Sequence, residues 1–361
     1  MKNEHGANIF EISKELKINL DKIIDFSSNI NPYGASKNAK EYIKNNLDLV
    51  SIYPDPNYKD LKLSISKYCK IDQEYITLGN GATEFINSFI NIITPTNTLL
   101  LSPVYSEYEK ELKKVNSNIF KMFHKKENNF KINIQDILNF SKNNNIDFIV
   151  LCNPNNPTGF AFSNKEIELL LASFKGTLMI DETYIEFTDI NLFSSINLLK
   201  KYENLFIIRG TSKFFATPGI RLGYSLCANK NIQKKLNQLP NLWNINIIAE
   251  TMGKIMFSDK KYIADTKLAI KNSKDFIFST LKKFKNIHIY HSESNFFLCE
   301  ILNKDLTSDL LYEFLLKKNF IIRNAKSFEG LDNSFFRFCI LDSRANLQLI
   351  NLLIDFFQEE I

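Results

Sequence analysis

The chain has 361 residues, 44% of them hydrophobic and 24% charged, and a net charge of +5. This is the length of about two domains with an ordinary globular composition, which excludes a disordered chain, a coiled coil and a collagen-like fibre. The lysines are scattered rather than blocked, so nothing points to nucleic acid as a partner, and a mildly basic chain suits small anionic substrates.

The opening MKNEHGANIFEISKELK lacks the apolar core of a secretory signal, and no stretch approaches the ~18 apolar residues of a membrane span. A cytoplasmic protein with no membrane partner is expected. From about residue 83 the chain alternates two patterns. In order come TEFINSFINII (helix), NTLLLSPVY (strand), SEYEKELKKV (helix), DFIVLCN (strand) and NKEIELLLASF (helix). TLMIDE, NLFIIRG and RLGYSLC (strands) follow, then NIQKKLNQL (helix). Alternating β and α predicts an α/β fold, a doubly wound, mostly parallel sheet that binds ligands beyond the carboxyl ends of its strands. After about residue 250 the pattern changes to a helical stretch over 247–284. IHIY, SNFFLCEI, SDLLYEFLLKK, FIIRNA, FFRFCIL and a last helix over 344–358 come next. The expected division is a large α/β domain over 36–250 and a smaller α+β domain over 251–361, joined by residues 1–35. Cys69, Cys152, Cys227, Cys299 and Cys339 are odd in number and form no CxxC or Cys/His cluster. No metal site is expected, and the thiols suit a reducing compartment.

Four segments carry residues with chemistry. In LGNGATE, Gly79 and Gly81 permit a tight turn, and the amides of Gly81, Ala82 and Thr83 open a helix whose N-terminus attracts phosphate; the plainer alternative is an ordinary turn. Glu84 stands where a dinucleotide fingerprint needs its third glycine, which disfavours a nicotinamide enzyme. NPNNPTG, directly after a strand, offers the Asn156 amide to a ligand oxygen, or is a plain loop. LMIDETYIEF ends a strand on Asp181, followed by Tyr184; Asp181 either caps a turn or holds a protonated ring nitrogen. IIRGTSKFFATPGIRLGY compresses Arg209, Thr211, Ser212, Lys213 and Arg221 into one span. Lys213, between two strands expected to run parallel and beside Phe214 and Phe215, would be desolvated and able to form a Schiff base. A phosphate cradle, an Asn, an Asp/Tyr pair and a desolvated Lys together equip a chain for pyridoxal phosphate.

In this order and spacing, NPNNPTG, IDETYIEF and SKFFATPGIRLGY resemble the fold-type I pyridoxal-phosphate enzymes of the class I/II aminotransferase superfamily, over essentially the whole chain. The resemblance implies that Lys213 carries the cofactor and Asp181 pairs with its ring nitrogen. It implies that Asn156 and Tyr184 bind the ring hydroxyl, that Tyr108 stacks on the ring, and that Ala82, Thr83, Ser212 and Arg221 hold its phosphate. Tyr53, in IYPD, would reach the phosphate of a neighbouring subunit, which implies a homodimer with shared sites. Arg337 would grip a substrate carboxylate. Relatives usually carry Ser or Thr at the position of Gly210, so one hydroxyl contact is lost unless Thr211 replaces it.

Within the superfamily, HGANIFEISKELKI, DFSSNINPYG, QLPNLWNIN and IIRNAKSFEGLDNSFFRF run closer to threonine-phosphate decarboxylases of cobalamin biosynthesis than to histidinol-phosphate aminotransferases, although Leu242 stands where the decarboxylases have proline. This makes His5, Asn31 and Arg323 candidates for binding a phosphorylated amino substrate; the plainer readings of His5 and Arg323 are a chain end and a surface cation. A regulator with this cofactor fold would carry a helix-turn-helix domain ahead of it, and the motifs begin by about residue 25, leaving no room expected for one.

Overall fold

The computed structural model describes residues 6, 8–239 and 241–358. In chain order its strands are β1 (Ile24–Asp25), β2 (Ile76–Gly79), β3 (Asn97–Ser102), β4 (Asn118–Phe123), β5 (Phe148–Cys152), β6 (Thr177–Asp181), β7 (Leu205–Gly210), β8 (Gly223–Cys227), β9 (Ile287–Ile289), β10 (Phe296–Ile301), β11 (Phe320–Ile321), β12 (Arg323–Asn324) and β13 (Phe335–Cys339).

The large sheet has the order β2-β8-β7-β6-β5-β3-β4. Its central strands β5, β6 and β7 are buried almost throughout, as unbroken apolar runs must be when helices cover both faces. β3 to β7 pair in parallel, whereas β8 lies antiparallel between β7 and β2. The strands flanking Lys213 are therefore antiparallel, not parallel as expected. The chain passes from Gly210 to its register partner Gly223 without the helical crossover that a parallel return requires.

A second sheet of order β12-β13-β10-β9 is antiparallel throughout. β1 pairs in parallel with β11, so the segment after residue 23 is stitched to the C-terminal part of the chain. The helical stretch over 247–284 is two helices, Ile247–Met256 and Lys260–Leu281. Asp259 breaks it by accepting from the Tyr262 N–H at 3.1 Å as an N-cap. No helix among the described residues is long and apolar enough to cross a membrane.

Candidate active site

A cavity of about 400 Å³ opens beyond the carboxyl ends of β3, β5, β6 and β7, closed on its far side by β12, β13 and the segment after β1. Ala82, Thr83, Tyr108, Asn156, Asp181, Tyr184, Ser212, Lys213, Arg221, Arg323 and Arg337 all line it. They come from segments up to 255 residues apart, and the strand ends bring them together.

Lys213 sits just past β7, its Nζ donating to the Ser28 carbonyl at 2.6 Å. Burial, reinforced by the nearby Arg337 charge, lowers its pKa to about 8. The lysine's backbone is braced by Asn31. The Asn31 N–H donates to the Lys213 carbonyl at 3.0 Å, and its side-chain amide donates to the Phe214 carbonyl at 2.8 Å and to the Tyr262 hydroxyl at 3.1 Å. Asn31, a candidate substrate ligand by resemblance, thus faces away from the cavity and supports the lysine loop. The asparagine on the cavity wall is Asn29, turned by a left-handed φ of 57°. Its amide donates to the Tyr184 hydroxyl at 3.3 Å, and its Oδ1 is buried without a hydrogen-bond partner among the described residues.

Asp181 ends β6. It accepts from the Thr183 N–H at 2.9 Å and from the Tyr108 hydroxyl at 2.7 Å. Burial raises its pKa, while the Thr183 and Tyr108 donors favour the ionised form. A cation in the cavity would pull in the same direction as those donors. Tyr108 is wholly buried, lines the cavity and donates its hydroxyl to this carboxylate, which holds it beside Asp181. The partly exposed aromatic ring on the same wall belongs to Tyr105, edge-on to Tyr108 at 5.7 Å. Sequence reading passed over Tyr105, although PVYSEY carries both rings.

The anion cradle forms at the helix Ala82–Ile93. Gly81, its N-cap, has φ 88° and ψ 163°, a region open essentially to glycine alone. Arg221 lies so close that a Cβ at Gly81 would stand 2.5 Å from its Nη2. Gly223 closes the other side, where a Cβ would meet the Gly81 carbonyl carbon at 2.5 Å and the Ala82 nitrogen at 2.6 Å. Thr211 does not replace the hydroxyl missing at Gly210. It is buried, and its Oγ1 donates to the Leu222 carbonyl at 3.1 Å.

Arg323 and Arg337 are cross-strand partners on β12 and β13, both facing the cavity. Arg337 donates to the Ser27 carbonyl at 2.6 Å and to Asn156 Oδ1; its Nε has no partner among the described residues. The Asn156 carbonyl oxygen is thus committed to Arg337. Burial and the Arg337 charge lower the pKa of Arg323 to about 10, and burial also lowers that of Arg337. Two desolvated guanidinium groups side by side are a strong demand for anions. Tyr53 does not line this cavity: it is 74% exposed and stacks on Trp243 at 4.1 Å. His5 lies outside the described residues.

Comparison with known proteins agrees with this geometry. The family model for aminotransferase class I and II matches residues 21–353. The chain belongs to that family. A protein from Caldanaerobacter subterraneus subsp. tengcongensis, named as a candidate threonine-phosphate decarboxylase, is 36% identical over 99% of this chain and 95% of its own. The histidinol-phosphate aminotransferase structure from Clostridium acetobutylicum is 36% identical over 93% of this chain and 99% of its own, with a TM-score of 0.85. A histidinol-phosphate aminotransferase from Sinorhizobium meliloti, solved with pyridoxal-5'-phosphate, shares the fold at a TM-score of 0.87 and 16% identity, covering 98% of this chain and 95% of its own.

Class I/II aminotransferases depend on pyridoxal phosphate, and this cavity fits that group. A buried lysine of lowered pKa, a carboxylate held by two donors and a glycine-lined helix N-terminus with an overlying arginine match its aldehyde, ring nitrogen and phosphate. The protein is a pyridoxal-phosphate-dependent enzyme, and its relatives' activities fit a phosphorylated amino substrate.

Proposed function

We propose that the enzyme decarboxylates L-threonine O-3-phosphate to aminopropanol phosphate, a step of cobalamin biosynthesis. The observation that carries the reading is the Arg323–Arg337 pair in the cavity of Lys213, which suits a small substrate with two separate anions, a carboxylate and a phosphate. The likeness of DFSSNINPYG to the decarboxylases supports it, because this segment supplies the Ser28 carbonyl to Lys213 and the Ser27 carbonyl to Arg337.

When bound, pyridoxal phosphate supplies an electron sink for the bond broken at the substrate's α-carbon. Ala82, Thr83, Ser212 and Arg221 would hold its phosphate and Asp181 its ring nitrogen. Tyr105 and Tyr108 both line the wall beside Asp181, and Tyr108, held there by its hydroxyl bond to that carboxylate, would stack on the cofactor's ring. Arg337 orients the substrate carboxylate through its planar fork, and Arg323 takes the phosphate. Lys213, with an amine that is substantially neutral near pH 8, can move a proton at the α-carbon once the carboxylate has left as CO₂. We further propose a homodimer in which Tyr53 reaches the partner's cofactor phosphate.

The competing reading is transamination of histidinol phosphate, favoured by the 36% identity to the Clostridium acetobutylicum enzyme. A product assay separates them. Holoenzyme is incubated with L-threonine O-phosphate, and separately with histidinol phosphate plus 2-oxoglutarate, and both are read by mass spectrometry. Aminopropanol phosphate in the first without glutamate in the second is the expected result. Glutamate in the second alone overturns the decarboxylase reading.

A further inference from the structure

Arg323 does not stand alone on its wall. The segment after β12 returns across the cavity mouth toward the large sheet. Ser327 accepts from Arg323 Nη2 at 2.7 Å, the ring centre of Phe328 lies 5.4 Å from the guanidinium carbon, and Glu329 lines the rim. Across the rim stands Glu109, on the helix Ser106–Lys114. Lys121, on β4, bonds both carboxylates: Glu109 at 2.7 Å, and Glu329. Next to this bridge, Gly330 adopts φ 93°, and a Cβ there would stand 2.7 Å from the ring of Phe123, also on β4. The lysine side chain is only 18% exposed. Partial burial works against its charge, but the bonds to Glu109 and Glu329 hold its pKa above the ordinary lysine value.

We propose that Lys121 is a positioning residue for the substrate phosphate: by tying Glu109 on one wall to Glu329 on the other, it fixes segment 325–331, and with it Arg323 and Ser327, across the cavity. This rests on the reading of Arg323 as the phosphate anchor. Lys121 itself is not among the residues that line the cavity. Its removal acts twice in one direction. The segment carrying Ser327 loses its tie to the large sheet, and Glu329 is left without its cation at an entrance that must admit a dianion, while Glu109 keeps only Lys113, at 2.7 Å. Neither change touches Lys213 or Asp181, so capture of substrate suffers and the bond-breaking step does not. The apolar cluster of Phe328, Phe130, Tyr290 and Phe335 persists without the lysine and keeps the segment folded.

The test uses holoenzyme with Lys121→Met and Lys121→Arg. For whichever phosphorylated substrate the wild type turns over, Lys121→Met raises KM about fivefold, the scale of two partly exposed ion pairs, with kcat within about twofold. Lys121→Arg restores the wild-type KM. An unchanged KM, or a fall in kcat alone, overturns the proposal. A second readout needs no substrate. Hydrogen–deuterium exchange in segment 325–331 rises in the Lys121→Met holoenzyme and returns in Lys121→Arg; equal exchange in all three overturns the tie. If the wild type accepts neither phosphorylated substrate, the functional reading fails, and the exchange measurement still decides whether Lys121 fixes the segment.

Discussion

Lys213 is driven toward its neutral form from two sides. Burial removes the water that would solvate an ammonium, and the Arg337 charge repels one, so its pKa falls to about 8. A lowered lysine pKa means that the charged form is lost, and the nucleophilic amine gained, as pH rises through that value. Cofactor-free protein should therefore take up pyridoxal phosphate at a rate that climbs with pH and levels off above about 8, some two units sooner than an ordinary lysine near ~10.4. Stopped-flow absorbance against pH measures this; a midpoint near ~10 would show that burial does not tune the amine. Arg337→Gln removes the repelling charge, so the same midpoint should move upward. It also removes the buried cation proposed to hold the substrate carboxylate, and on that proposal kcat/KM should fall by the equivalent of about 2–3 kcal/mol. Lys213 and Asp181 could be singled out in the sequence because each is a charged residue at or just past the end of an apolar strand, whereas Arg337 was marked only by the family resemblance. The assignment of Asn31 was not, since the left-handed turn at Asn29 decides which of two asparagines two residues apart faces the cavity. Nor was the bond from Tyr108 to Asp181 legible, because it joins residues 73 apart in the chain.

The helix Ala82–Ile93 and the β7–β8 connection meet at glycines, and their substitution tests the anion cradle from two directions. Gly81→Ala places a side chain where φ is 88° and ψ 163°, and drives its Cβ against Arg221. Backbone strain of this kind costs about 1–3 kcal/mol, and the arginine must move as well. Cofactor affinity, measured by equilibrium dialysis against pyridoxal phosphate, should fall at least tenfold, an equivalent of about 1.4 kcal/mol. Gly210→Ser is expected to do the opposite. An added Cβ there meets the Ala82 Cβ at 3.3 Å and leaves the Ala82 nitrogen at 3.8 Å, so a hydroxyl enters the cradle for a shift of a few tenths of an ångström in Ala82. Slower release of the cofactor on dilution is the predicted result; faster release would mean that the contact with Ala82 dominates. The strands β3, β5, β6 and β7 were readable as apolar runs because they are enclosed on both faces. β4 was not: it is an edge strand, half-exposed, with Lys121 at its centre. The reversed direction of β8 was equally hidden, because strand polarity resides in the connection and not in the strand's own composition.

The exposed apolar residues of this chain are not evenly spread. Tyr42, Ile52 and Tyr53 line one groove with Ile247 and Ile255, and Trp243 stacks on Tyr53. Tyr42 is 47% exposed and Ile52 58%. In the proposed homodimer a second copy of the chain would cover this groove, which would also account for Tyr53 lying outside its own cavity. If the site is shared in this way, each active centre needs Lys213 from one chain and Tyr53 from the other. Lys213→Ala and Tyr53→Ala homodimers would then each be defective at both sites. Mixed and allowed to exchange subunits, they form hybrids in which one centre carries both mutations and the other carries neither. Random pairing makes half of the dimers hybrid, so activity should recover to about a quarter of the wild-type value. A mixture that stays as inactive as its Lys213→Ala component, while light scattering shows that subunits have exchanged, would place Tyr53 outside the partner's site. A monomer by light scattering would remove the interface itself. The two readings differ in what the patch is for, because a dimer without complementation leaves the apolar surface explained and the tyrosine hydroxyl unexplained. Complementation alone ties the exposed surface to the chemistry.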